Sequence, residues 1–416
     1  MKRLNVLVSA YACEPGKGSE PGVGWNWVMQ VAHFHEVWVI TRANNRQSIE
    51  QASATQPGPR VHWIYVDLPR WARFWKRGQH GVHLYYYLWQ FGAYMVAQRL
   101  HHEVGFEVTH HLTFGNCWMP SLLVLLPVPF IWGPLGGGES TPQAFYGTFH
   151  TFGKLHEGLR SVVRWLGECD PLVRLAAHRA TLVLAKARET AQRLQRLGAQ
   201  HVQLYSESGL TAEECRQLKA LPLRQDLPFR LVSIGRLVHW KGFHLGLMAF
   251  ARLQQWCPAS EYWVIGDGVE RRHLERLAQR LAVADKVRFW GNLPRQEVLA
   301  KLAECDVLVH PSLHDSGGWV CPEAMAAGRP VICLDLGGPA LQVTEETGVK
   351  VPVLHPEQVI NDLTSAMLQL ALSVQLRASM GAMARQRASH VYSWSTKGPM
   401  LARLYEEAID GAPQPS

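Results

Sequence analysis

Phe229-Arg230-Leu231-Val232-Ser233-Ile234-Gly235-Arg236-Leu237-Val238-His239-Trp240-Lys241-Gly242 runs from an apolar stretch into a glycine-bracketed loop, and the helical pattern Phe243–Gln255 follows at once. Strand, glycine turn and helix is the repeating step of a doubly wound α/β domain. The step recurs downstream. Tyr262–Ile265, Val287–Trp290, Val307–His310 and Pro330–Leu334 read as strands, and Arg271–Leu281, Gln296–Glu304 and Cys321–Ala327 as helices. Alternation with short loops predicts a parallel sheet covered by helices on both faces.

The same alternation, less regular, occupies the first half. Leu4–Ala10, Val37–Thr41, Val61–Val66, Val108–His111 and Leu182–Ala185 read as strands, and Leu172–Ala180 and Thr190–Leu197 as helices. A glycine-rich turn, Pro15–Gly24, leads to a helix expected to begin near Trp25. The pattern loosens over 206–228, where Pro222 and Pro228 fall. The expectation is an α/β protein of two doubly wound, Rossmann-like domains facing across a cleft. They span residues 1–205 and 229–390, with a linker at 206–228 and a last helix and tail at 391–416. Ligands in such sheets bind beyond the carboxyl ends of the strands and favour domain interfaces.

Composition narrows the class. The 416 residues are 47% hydrophobic and 18% charged, which excludes a disordered chain. Eight scattered cysteines form no C-x-x-C pair, so neither a disulfide scaffold nor a cysteine zinc site is expected; reduced thiols in a cytoplasmic protein are. Leu4–Ala10 fits a first strand better than a leader, with Asn5 and Tyr11 against the latter. The greasy run Leu122–Trp132 is broken by Pro127 and Pro129 and falls short of the roughly 20 residues a membrane span needs.

The net charge is +8, and its location is uneven. Met1–Tyr205 carries 20 Lys plus Arg against 12 Asp plus Glu, whereas the remainder balances at 22 each. Within the basic half, Arg70, Trp71, Arg73, Phe74, Trp75, Lys76 and Arg77 form a run without an acid. On a helix this is a basic aromatic face suited to an anionic membrane surface. The competing reading makes the aromatics core, with the cations snorkelling to water. No nucleic-acid-binding module is present, so nucleic acid is not an expected partner.

Two loops carry chemistry. In the first, Arg236 and Lys241 place a guanidinium fork and an ammonium on one strand-to-helix loop, an arrangement suited to a diphosphate. A solvated basic loop is the plainer alternative. The second follows Val307–His310 and sets Asp315 and Glu323 with seven residues between them. Between them Ser316-Gly317-Gly318 offers backbone N–H groups to an anion near a helix start. Carboxylates beside an anion site make sense as partners of sugar hydroxyls. Glu323 alone would serve equally as a helix cap.

Together these loops resemble the retaining glycosyltransferases of the GT-B fold, family 4. That family carries a Gly-Arg…Lys-Gly pair and, some eighty residues on, an E-x7-E motif. The motif runs into a stretch matching Glu323-Ala324-Met325-Ala326-Ala327-Gly328-Arg329-Pro330-Val331-Ile332 here. The likeness is closest over Phe229–Gly338. It extends to Tyr392-Ser393-Trp394 before a last helix, which in the family crosses back to the first domain. Asp315 replaces the first acid of the motif and Gly317 stands where Phe is common. Both changes bear on which sugar is carried more than on the reaction class.

The resemblance implies residue roles. Arg236 and Lys241 would bind the donor diphosphate. Asp315, Ser316 and the Gly317-Gly318-Trp319 backbone would hold the sugar and its phosphate, and Glu323 the ribose. Asn292 and Leu293 would lie against the base. Gly22 looks like the family's glycine loop near the diphosphate. His110 or His111, with His111 favoured, would face the donor sugar. The implied reaction moves a sugar, with retention, from a nucleoside diphosphate sugar (UDP over GDP) to a hydroxyl of a glycan or lipid-linked acceptor. No D-x-D occurs in the chain, so neither a metal nor another cofactor is expected. A transferase with a soluble acceptor, a sugar epimerase or phosphorylase of the same fold, and a non-catalytic sugar-binding protein remain as alternatives.

Overall fold

The computed structural model describes residues 2–55, 58–73, 75, 76, 78, 81–222 and 228–411. The chain divides into two compact units. The first comprises residues up to Gly138, Ser161–Glu207 and the stretch from Trp394; the second comprises Glu139–Arg160 and Ser208–Ser393.

In the first unit seven parallel strands form one sheet: β1 Asn5–Ala10, β2 Glu36–Thr41, β3 Val61–Tyr65, β4 Val108–Thr113, β5 Phe130–Leu135, β6 Leu182–Ala185 and β7 Val202–Leu204. Their order is 3-2-1-4-5-6-7. In the second unit β8 Arg230–Ile234, β9 Glu261–Ile265, β10 Val287–Gly291, β11 Val307–His310, β12 Val331–Leu334 and β13 Gly348–Val351 follow the order 10-9-8-11-12-13. Both are doubly wound sheets. Their central strands are buried on both faces, which is why Val6-Leu7-Val8 and Val307-Leu308-Val309 are unbroken apolar runs with no exposure at all.

Each order reverses direction once, between β1 and β4 and between β8 and β11. At such a switch point the loops diverge and leave a crevice at the carboxyl edge. The loop after β8 is the Gly235–Gly242 loop, and the loop after β11 carries Asp315. Gly242 joins them. Its φ is +65°, and a Cβ there would collide with the Pro311 carbonyl oxygen, so only glycine fits both the turn and the approach.

Several boundaries differ from the sequence reading. The helix expected near Trp25 begins at Ser19, so Gly22 lies inside it rather than in the preceding turn. A Cβ on Gly22 would collide with the Lys17 carbonyl, so this glycine lets the helix pack on its own entry turn. Residues 206–228 are more than a linker. They hold the helix Ala212–Lys219, closed by a capping box between Thr211 and Glu214, and from Ser208 they group with the second unit. Glu139–Arg160, inside the range assigned to the first domain, also groups with the second unit.

The final helix, Trp394–Asp410, packs in the first unit against Ser19–Ala32. There the Tyr405 hydroxyl accepts from Trp27 Nε1 at 3.1 Å and meets His110 Nδ1 at 2.6 Å. Lys397 of the same helix is buried and donates to the Ser206 carbonyl at 2.7 Å. Burial lowers its pKa to about 7, and Glu207 only partly compensates. Among the described residues no helix is long and apolar enough to cross a membrane.

Candidate functional site

The second unit gathers most of the sequence-derived residues around the β8–β11 switch point. Lys241, from the loop after β8, forms an ion pair with Oδ2 of Asp315, from the loop after β11. His310, the last residue of β11, adds its Nε2 at 3.0 Å from the same oxygen. Burial works against the Asp315 charge, but Lys241 and His310 outweigh it and hold the carboxyl well below the usual range. Burial also lowers the His310 pKa, with Asp315 opposing. Arg236 is exposed, and among the described residues its guanidinium has no ion pair. The loop thus carries two cations, of which Lys241 is ion-paired within the protein.

The backbone of the second loop is not open as the sequence suggested. The N–H groups of Gly317 and Gly318 donate to Asp315 Oδ1 at 3.3 and 3.2 Å. The helix that follows, Val320–Ala326, has only seven residues. The Gly317 carbonyl accepts from Ser208 Oγ at 2.7 Å and Gln342 Nε2 at 2.6 Å, fixing the loop from outside. Trp319 Nε1 is buried without a hydrogen-bond partner. Ser316 Oγ donates to Glu139 Oε2 at 2.7 Å.

Glu323 sits at the start of Val320–Ala326 and receives Arg295 at 2.6 Å, while Arg295 also reaches Glu214 at 3.3 Å. Burial raises the Glu323 pKa and Arg295 opposes it. Asn292, just after β10, is exposed, and Leu293 packs half-buried on the cluster that holds Cys321 and Met325.

Sequence reasoning missed the residues that brace these loops. Buried Glu157, from helix Thr151–Cys169, takes hydrogen bonds on one oxygen from His239 at 3.1 Å and His314 at 3.2 Å. One of these histidines belongs to each loop. Burial favours the neutral acid, but the two histidine hydrogen bonds win and keep Glu157 ionised. Glu139 and Glu157 thus hold both loops from a segment some eighty or more residues upstream. Glu139 had a local signal, since it ends the run Gly136-Gly137-Gly138-Glu139. Glu157 had none.

In the first unit, His110 and His111 end the central part of β4 beside the β1–β4 switch point, on opposite faces because strand side chains alternate. His110 is locked, with Nε2 at 2.6 Å from the Gly133 carbonyl and Nδ1 on Tyr405. His111 Nε2 lies 3.1 Å from the Tyr86 hydroxyl. Burial lowers their pKa values to about 4 and about 3, so both rings are neutral at neutral pH. Both rings are thus held by buried partners, His110 by Gly133 and Tyr405 and His111 by Tyr86 and the Phe114 backbone.

The described residues of the basic aromatic run do not form the expected amphipathic helix. Among these residues only Arg70–Ala72 is helical, as a single 3₁₀ turn. Trp71 is 78% exposed. Arg73 pairs with Asp67 at 3.1 Å, and Trp75 packs half-buried on the core. Phe74 and Arg77, and the side chain of Arg70, lie outside the described residues.

Two doubly wound, Rossmann-like units of parallel strands make up the GT-B fold. Residues 218–387 match the family model for glycosyl transferases group 1. Glycogen synthase from Mycobacterium tuberculosis (strain ATCC 25618 / H37Rv) is 32% identical over 191 residues, 45% of each chain. The chain thus spans about half the length of the curated relatives it matches. The fold likeness covers the whole chain. Sucrose-phosphate synthase from Thermosynechococcus elongatus superposes with a TM-score of 0.65 at 18% identity, covering 99% of this chain and 100% of that one. Anabaena Alr3699/HepE, in complex with UDP-glucose, gives 0.56 at 16% identity over 99% and 100%.

Proposed function

We propose that this chain is a retaining, metal-independent glycosyltransferase. It moves a sugar from a nucleoside diphosphate sugar, UDP favoured, to the hydroxyl of a glycan or lipid-linked acceptor. The observation that carries this is the Lys241–Asp315 pair beside the uncommitted Arg236. An incoming diphosphate competes with Asp315 for Lys241 and supplies Arg236 with the anion it lacks. Asp315, released, accepts hydrogen bonds from the sugar. The Gly317 and Gly318 N–H groups, freed from Oδ1, turn to the phosphate. As the glycosidic bond breaks, charge grows on the leaving diphosphate, and the two cations bind it more strongly than in the ground state. The UDP-glucose complex of a protein of the same fold supports the uridine donor.

A cytoplasmic location, with peripheral attachment to anionic membrane, fits the basic excess of the first half and exposed Trp71. It also fits helix Thr151–Cys169, where Phe152, Leu155, Leu159, Val162 and Leu166 are 53–70% exposed. Losing one charged contact to the leaving group costs about 2–4 kcal/mol of transition-state stabilisation. Arg236→Ala and Lys241→Ala should each lower turnover with a UDP-sugar donor by roughly 30- to 1000-fold, with unchanged circular dichroism. Turnover within a factor of two of wild type in both variants would remove these residues from the site.

A further inference from the structure

Beside the Lys241–Asp315 pair, the second unit holds a buried cluster with metal-ligand chemistry that includes His239 of the first loop. His156 Nδ1, Glu157 Oε1 and His239 Nε2 all lie within 4.8 Å of one another. Glu157 Oε1 is 3.1 Å from His239 Nε2 and 3.7 Å from His156 Nδ1. Tetrahedral ligands held about 2.0–2.1 Å from zinc lie roughly 3.3 Å apart, so these separations need only small adjustment. His156 Nδ1 is shielded from solvent and has no hydrogen-bond partner; at 3.7 Å the carboxylate is too far to serve. A buried ring nitrogen without a partner is costly unless something occupies it.

The ligands are also held in place. Trp240 stacks on His156 (5.1 Å, 15°) and on His314 (5.3 Å, 12°), fixing the His156 ring. His314 donates to the same Glu157 oxygen, as a hydrogen-bond partner that orients a ligating carboxylate does. Arg160 acts on Glu157 electrostatically, yet its guanidinium is tied to the Glu139 carbonyl at 2.9 Å. The other histidine group, His150, Glu270 and His273, is more open, and Arg271 and Arg272 stand between Glu270 and His273 in the chain.

We infer that His156, Glu157 and His239 form a binding site for a borderline divalent cation of the zinc type, with water as fourth ligand. His239 would present Nε2 as a lone pair by carrying its proton on Nδ1. The ion is structural. It would tie helix Thr151–Cys169 to the loop that carries Lys241, and the transfer chemistry proposed above does not depend on it.

The test is zinc titration of the purified, chelator-treated full chain against a chromophoric chelator, with neither donor nor acceptor present. Wild type should take up one equivalent. His156→Ala should weaken uptake by more than the 10- to 100-fold that losing an orienting partner costs, and His150→Ala should not. Zinc should raise the melting temperature of wild type and of His150→Ala but not of His156→Ala. No competition by wild type, equal uptake by His156→Ala, or loss confined to His150→Ala would each overturn the site. Because binding is read without turnover, the outcome is separate from that of the transferase proposal.

Discussion

Lys241 and Asp315 each read from the sequence as a candidate partner for ligand, but their relation to each other was not legible. In sequence they are 74 residues apart. In the fold they neutralise one another, and Asp315 also occupies the N–H groups of its own loop. A chain reading cannot see this, because it depends on which two strands become neighbours. The same holds for His110, whose commitment to Tyr405 links positions 295 residues apart. The histidine pair makes a prediction about pH. Folded, His110 and His111 stay neutral down to about pH 4 and about pH 3; unfolded, they bind protons from about 6.5 downward. The unfolded state therefore takes up more protons across that window, and stability falls as pH falls through it. A melting series from pH 7 to 4 should show a declining melting temperature. A temperature that rises toward pH 4 would contradict the burial of neutral rings.

At the scale of elements, the strands and loops around both motifs were legible because each is a local step: apolar run, glycine, helix. β5 was not, since Pro127 and Pro129 precede it and Pro134 lies within it, so the run looked broken rather than extended. Helix Thr151–Cys169 was missed as well, along with the bracing of both loops through Glu157. Its buried partners come from elements far along the chain, and its apolar residues face outward, which inverts the usual helical signal. The joint between the two loops is Gly242, where alanine meets both a left-handed backbone and the Pro311 carbonyl. Gly242→Ala should destabilise the second unit by about 1–3 kcal/mol, the range for strain at such a position. Chemical denaturation checks this, and an unchanged midpoint would show that the two loops are not held together there.

For the whole molecule, two sheets of matching strand order, each with candidate residues beside its switch point, were foreseen in outline. The crossing points of the chain were not, since Glu139–Arg160 groups with the second unit. The charge asymmetry also belongs to this scale. All of the excess lies in Met1–Tyr205, while the second half is neutral overall yet holds Arg236 and Lys241. If the first half meets an anionic bilayer, wild type should float with anionic vesicles at low salt, more weakly at high salt. Changing Arg70, Arg73, Lys76 and Arg77 to Ala should abolish flotation; absence of salt-sensitive flotation by wild type would refute a membrane-facing surface. The central claim, that Arg236 and Lys241 receive a nucleoside diphosphate, is tested most directly by calorimetric titration of UDP into wild type and the Arg236→Ala/Lys241→Ala double variant. The account predicts a single site in wild type and an affinity at least roughly 100-fold weaker in the variant, from two lost charge-assisted contacts of about 1.5–3 kcal/mol each. Equal affinity in the two proteins would contradict it.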